Sequence, residues 1–105
     1  MQTFNPNILS RTNRYSAKKS TTLINFLCVA PQARHVSLIG DFNNWEPNAN
    51  PMKRMPDGGW HIQIHLHHGH HKYLFLIDGH PTLDTRAQGT VRNAQNERVS
   101  LIAVS

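Results

Sequence analysis

Three groups of side chains in this 105-residue chain could do chemistry. The first centres on Trp45, an indole in a polar loop between Asn44 and Glu46. Its flat apolar face suits the C–H face of a pyranose ring, and asparagine amides beside it can pair with hydroxyls in both directions. The competing role is a loop anchor packed on the domain, because a tryptophan is rarely left wholly exposed. The second group is His61, His65, His67, His68, His70 and His71, six imidazoles within eleven residues. A metal site would need three or four of them on one ion. On a strand His61 and His65 share a face but stand about 13 Å apart, too far for one ion. The other four surround Gly69, where opportunistic nickel, copper or zinc binding fits better than a built site, since no cysteine or carboxylate accompanies them. They read as the polar outer face of an antiparallel sheet, which turns positive below about pH 6. The third group, Asp41, Asp57, Asp78 and Asp84, sits at turns, where aspartate serves local backbone hydrogen bonds. No serine or cysteine has a histidine and an orienting acid in motif context, and no glycine-rich phosphate loop is present. The sequence predicts no catalytic residue, no metal and no cofactor.

The elements that must position these groups are short strands. Thr22–Val29 is apolar and stops at Ala30-Pro31, because proline cannot donate to a ladder. His35–Ile39 returns, and Gly40-Asp41 breaks it into the loop that carries Trp45. A short strand over Met52–Met55 ends at the Pro56-Asp57-Gly58-Gly59 turn. Trp60–Leu66 is the clearest period-2 segment, with Trp60, Ile62, Ile64 and Leu66 on one face and His61, Gln63 and His65 on the other. After Gly69, His71–Ile77 pairs back with Tyr73, Phe75 and Ile77 inward and Lys72, Leu74 and Leu76 outward. A loop from Asp78 to about Asn96 precedes the last strand, Val99–Val104. No stretch has helical spacing and length. Six or seven short strands with Gly, Pro and Asn turns predict an all-β, immunoglobulin-like antiparallel sandwich over residues 22–105.

Composition bounds the rest. One domain of this size cannot hold a glycosidase barrel, which takes about 250 residues. No apolar run approaches the roughly 20 residues of a membrane span, and the N-terminus lacks the pattern of a secretory signal, so a cytoplasmic location is expected. Net charge is +5, but Arg11, Arg14, Lys18 and Lys19 carry the excess, leaving seven basic and six acidic residues in the remainder. Residues 1–21 are expected to form a flexible basic tail. Four charges without interleaved aromatics favour a solubilising role over nucleic-acid binding. Cys28, the only cysteine, sits between Leu27 and Val29 as a small buried apolar residue.

The run Val36-Ser-Leu-Ile-Gly-Asp-Phe-Asn-Asn-Trp45 resembles the opening of a glycogen-binding or early-set module, carbohydrate-binding module family 48. Pro51-Met-Lys-Arg54, Asp57-Gly-Gly-Trp60, Lys72-Tyr-Leu-Phe-Leu-Ile-Asp-Gly79 and Asp84 follow in the family's order, so the resemblance covers roughly residues 23–104. Such modules occur in the beta subunit of AMP-activated protein kinase and beside the catalytic barrels of branching and debranching enzymes. The resemblance implies an immunoglobulin-like fold and an α-1,4-glucan ligand of the glycogen or starch type. It also implies that the residue matching Trp45 stacks on glucose.

Two positions depart from that pattern. Glycogen-binding members carry a second tryptophan where this chain has Pro81, and often a lysine or arginine where it has Leu74. A platform with one aromatic ring predicts weak binding. Trp45 is then assisted at its edge by Asn44, Lys53, His80 and one of Asn93 or Asn96. The rival expectation is a protein-interaction module, or a homodimer, docking through Leu74, Leu76 and the histidine face. A third is a histidine-driven metal or pH sensor. No nucleic-acid or membrane partner is expected.

Overall fold

The computed structural model describes residues 21–105; of the tail expected over residues 1–21 only Thr21 is among them, as the first residue of a strand, and the rest lies outside the described residues. Alternation builds the first sheet. β1 (Thr21–Val29) lies antiparallel to β4 (Gly59–His67) over its full length, from Thr21 opposite His67 to Val29 opposite Gly59. Phe26 and Cys28 point inward from β1, and Trp60 and Leu66 from β4, because these apolar side chains repeat every second residue. β3 (Lys53–Arg54) completes this sheet in the order β1-β4-β3.

The second sheet contains β2 (Val36–Gly40), β5 (Gly69–Ile77), β8 (Arg98–Val104) and β7 (Gly89–Arg92), in the order β2-β5-β8-β7. β6 (His80–Thr82) also pairs with β5. The two sheets close as an immunoglobulin-like sandwich on Phe26, Val36, Leu38, Met52, Trp60, Leu66, Tyr73, Phe75 and Val104. Each such side chain, fully buried, is worth roughly 1.5–3 kcal/mol. Tyr73 and Phe26 meet edge to face with centroids 5.0 Å apart.

Two strands, β6 and β7, fall inside the segment expected to be loop. Neither has an apolar pattern of its own, since β6 is His-Pro-Thr and β7 Gly-Thr-Val-Arg. Their ladders come from neighbours, with Ile77 opposite His80 and Val91 opposite Val99. The strand expected over Met52–Met55 shrinks to two residues, because Met52 turns into the core while Met55 is exposed.

Hydrogen bonds tie the loops to this frame. Trp60 Nε1 donates to the Ala30 carbonyl at 3.0 Å, and the Arg54 guanidinium lies 5.6 Å from the indole centroid while donating to the Pro31 and Ala33 carbonyls. Asp78 Oδ1 accepts the backbone N–H groups of Arg34 and His35, both at 2.9 Å. That takes His35 out of the strand it was expected to begin. The Tyr73 hydroxyl donates to Asp84 Oδ2 at 2.7 Å, and the Asp84 N–H donates to Ser100 Oγ at 2.9 Å. Burial, together with that bond, pushes the Tyr73 phenol well above its ordinary value.

Candidate functional site

The loop after β2 is shaped by one glycine and one asparagine. A Cβ on Gly40 would lie 2.5 Å from the Phe42 ring and 2.7 Å from the Lys72 carbonyl oxygen, so only glycine fits against β5 here. Asn43 Oδ1 accepts the Gly40 N–H at 3.0 Å, while Nδ2 donates to the Leu38 carbonyl at 2.9 Å and to Asn50 Oδ1 at 2.6 Å. Asn43 therefore holds the loop closed, with both of its amide hydrogens committed to the frame. The Trp45 N–H donates back to the Gly40 carbonyl at 2.9 Å.

This closure places Asn44 and Trp45 in succession at φ 58° and 57°. An indole residue in the left-handed region is an uncommon conformation, costing about 1–3 kcal/mol, and such strain gathers at binding sites. The Trp45 side chain is half-buried and lines a concavity of about 450 Å³ with Asp41, Lys72, Asn93, Gln95 and Glu97.

Hydrogen bonding divides these neighbours into frame and free groups. Asp41 belongs to the frame, since Oδ2 accepts the Lys72 N–H at 3.0 Å and Oδ1 lies 3.3 Å from His71 Nδ1. Asn93 is also frame, because its Oδ1 accepts the N–H groups of Gln95 and Glu97 at 3.0 and 2.9 Å. The Lys72 ammonium, the Gln95 amide and one Glu97 carboxylate oxygen have no partner among the described residues. An indole face beside a cation, an amide and a carboxylate offers apolar contact together with donors and acceptors, which is what a sugar ring requires.

The expected site residues divide accordingly. Trp45 and Asn93 line the concavity, with Asn44 adjoining Trp45 in the loop. Asn96, at φ 63°, occupies the β7–β8 turn, where its carbonyl accepts a hydrogen bond from Arg92. Lys53 lies in the other sheet, opposite His61. His80 pairs with Ile77, whereas the Trp45 loop leaves β2 where Gly40 pairs with Tyr73. Those two positions on β5 are about 13 Å apart. Lys72, Gln95 and Glu97 were missed by sequence reasoning. The outward position of Lys72 on β5 was the one signal available; the hairpin residues approach Trp45 only through the β5-β8-β7 order.

The leucines do not form one surface with His61 and His65. Leu74 and Leu76 are half-buried on the outer side of the five-stranded sheet, with Leu74 opposite a buried Ile39. His61 and His65 lie on β4 opposite Leu27 and Leu23, on the outer side of the three-stranded sheet. The docking face expected from the sequence is thus divided: His61 and His65 stand apart from the leucines because β4 and β5 belong to different sheets, whereas His70 shares the face of β5 that carries Leu74 and Leu76. His71 closes the corner between the two sheets. Its Nε2 is 2.9 Å from the His67 carbonyl, and its ring meets Phe42 edge to face at 6.2 Å. Among the described residues no three His, Cys, Asp or Glu side chains converge as a metal-binding group.

The family model for carbohydrate-binding module 48, the isoamylase N-terminal domain, matches residues 14–100. Among curated proteins, the chain is similar to the 1,4-alpha-glucan branching enzyme of Novosphingobium aromaticivorans, 43% identical over 58 residues covering 54% of this chain and 8% of that enzyme. The Bradyrhizobium diazoefficiens enzyme of the same name is 44% identical over 57 residues, covering 53% of this chain and 8% of the enzyme. For that of Cupriavidus pinatubonensis the figures are 50% over 42 residues, 39% and 6%. The matched segments span less than a tenth of the length of these relatives.

Proposed function

The chain belongs to the carbohydrate-binding module 48 family, and from that premise we propose that it is a non-catalytic module binding α-1,4-glucan with low affinity through Trp45. The observation that carries this reading is the strained placement of Trp45 at a concavity that also holds Lys72, Gln95 and Glu97. Its indole stacks on one glucose ring, and Lys72, Gln95 and Glu97 pair with hydroxyls of that ring and its neighbour. Asn93 and Asp41 act indirectly, by fixing the hairpin and the strand that present those groups.

Low affinity follows from the inventory. Stacking on one aromatic contributes about 1–3 kcal/mol by analogy with aromatic platforms in nucleic-acid sites. A few exposed hydrogen bonds add about 0.5–1.5 kcal/mol each, so association is in the millimolar range, about 4 kcal/mol in all. Pro81 and Leu74 stand where the family resemblance implies a second aromatic and a cation, and Lys72 supplies a cation two residues before Leu74 instead. The relatives are 1,4-alpha-glucan branching enzymes; this module delivers glucan to a partner activity. A cytoplasmic setting suits an intracellular glucan, and no helix among the described residues is long and apolar enough to cross a membrane.

Native gels cast with glycogen test the reading. Retardation that persists in high salt and disappears in Trp45→Ala supports it, whereas equal migration with and without glycogen would oppose it.

A further inference from the structure

β1 is a strand edge that the described residues leave open. It pairs with β4 along one side over all nine residues, and no described residue makes a backbone hydrogen bond to its other side. Other edges carry the features that discourage pairing between molecules. β3 is two residues long and both are cationic; β6 contains Pro81; β7 is four residues long and ends in Arg92. β2 is covered by the following loop, through Leu38 N–H to Asn50 O at 2.9 Å and Met52 N–H to Val36 O at 2.8 Å. β1 has no such guard. Its sequence, Thr-Thr-Leu-Ile-Asn-Phe-Leu-Cys-Val, holds no charge, proline or glycine, and Leu23, Leu27 and Val29 are 46%, 50% and 67% exposed on its outer face.

The strand is also complementary to itself. Antiparallel pairing about a two-fold axis at Asn25 matches all nine residues. On the outer face Leu23 then opposes Leu27, Thr21 opposes Val29, and Asn25 opposes Asn25 of the second copy. Asn25 Oδ1 already accepts from Gln63 Nε2 at 2.8 Å, which holds the side chain in place and leaves its amide hydrogens for the partner amide. No charged side chain stands on either strand to oppose the pairing. The histidines His61 and His65 lie one strand further in, and Lys53 two strands in. Beneath this edge the seam between the sheets is open as well, as concavities of about 190 and 220 Å³ that share Leu27, Asp84 and Arg86.

We propose that β1 docks edge to edge with β1 of a second copy of this chain, making an isologous dimer with a continuous six-stranded sheet across the two-fold axis. This inference is independent of the glucan reading, because the Trp45 concavity is built on the other sheet.

Two measurements on the full chain test it. In sedimentation equilibrium the chain should behave as a concentration-dependent dimer of its 12.0 kDa mass, and Leu27→Glu should weaken association at least about tenfold, since each dimer then carries two charges against leucines. Leu27 is 50% exposed, so the variant should still fold and unfold cooperatively, with a midpoint lowered only by the lost association. Asn25→Cys should cross-link two copies under mild oxidation, because paired antiparallel residues stand about 4.5–5.5 Å apart at Cα, within disulfide reach. Cysteine at the exposed loop residue Asn48 should not. A single monomeric species at all concentrations would overturn the proposal, as would a dimer that survives Leu27→Glu without an Asn25→Cys cross-link.

Discussion

The Trp45 N–H donates to the Gly40 carbonyl at 2.9 Å, and that bond returns the loop onto the end of β2 with the indole in the left-handed region. The orientation of Trp45 is thus set by the backbone of the residue that ends the strand. It depends on whatever allows Gly40 to lie against β5.

Gly40→Ala tests that dependence. The added methyl would meet the Lys72 carbonyl at 2.7 Å, and a backbone atom paired within a sheet cannot move cheaply. A destabilisation of about 1–3 kcal/mol is expected, read from urea unfolding. An unchanged midpoint would mean that the loop has room the geometry does not show.

Asn43→Ala removes three hydrogen bonds at once, to Gly40, Leu38 and Asn50. Each is worth about 0.5–1.5 kcal/mol. The variant should melt lower and also bind glucan more weakly, although Asn43 touches no ligand. Lost affinity without lost stability would instead make Asn43 a direct contact.

Lys72→Ala and Gln95→Ala should each weaken glucan binding a few-fold, about 0.5–1.5 kcal/mol, with the melting temperature unchanged. Lys53→Ala and His80→Ala should leave binding as it is, because those residues stand on the other sheet and at the far end of β5. Titration of all four variants against one oligosaccharide separates the two pairs.

The Tyr73 phenol gives the fold an alkaline dependence. Its pKa lies above the ordinary 10.0 in the folded state, through burial first and the Asp84 bond second. The resulting stability is complete below pH 10 and is lost as pH rises beyond it, because the unfolded chain releases the proton more readily. Tyr73→Phe should abolish that slope while lowering stability at neutral pH by about 1–3 kcal/mol, since Asp84 loses a partner. Urea midpoints across this pH range read both effects.

Cys28 should resist thiol reagents. It is 7% exposed, and burial, with the Asp84 charge as a smaller cause, pushes its thiol up. Labelling should follow unfolding, with rates that climb through the urea transition; rapid labelling in buffer would contradict the packing of β1.

The sandwich was legible where one face of a strand is buried. Trp60, Ile62, Ile64 and Leu66 alternate because β4 has one side on the core, and β5 alternates for the same reason. β6 and β7 were not legible, since His-Pro-Thr and Gly-Thr-Val-Arg owe their pairing to neighbours and not to their own pattern. The site divides in a similar way. Trp45 could be singled out by type and context alone. The approach of Lys72, Gln95 and Glu97 to it depends on strand order, which periodicity does not encode. Lys53 and His80 flank conspicuous motifs in the sequence, yet the chain changes sheets between Lys53 and Trp45, and β6 meets the opposite end of β5.

The most direct test of the central claim is isothermal titration of maltoheptaose into the full chain, with Trp45→Ala as the control. The account predicts saturable heat with a millimolar dissociation constant that vanishes in the variant while its melting temperature is retained. No heat at millimolar ligand, or equal heat from the variant, would contradict Trp45 as the glucan platform.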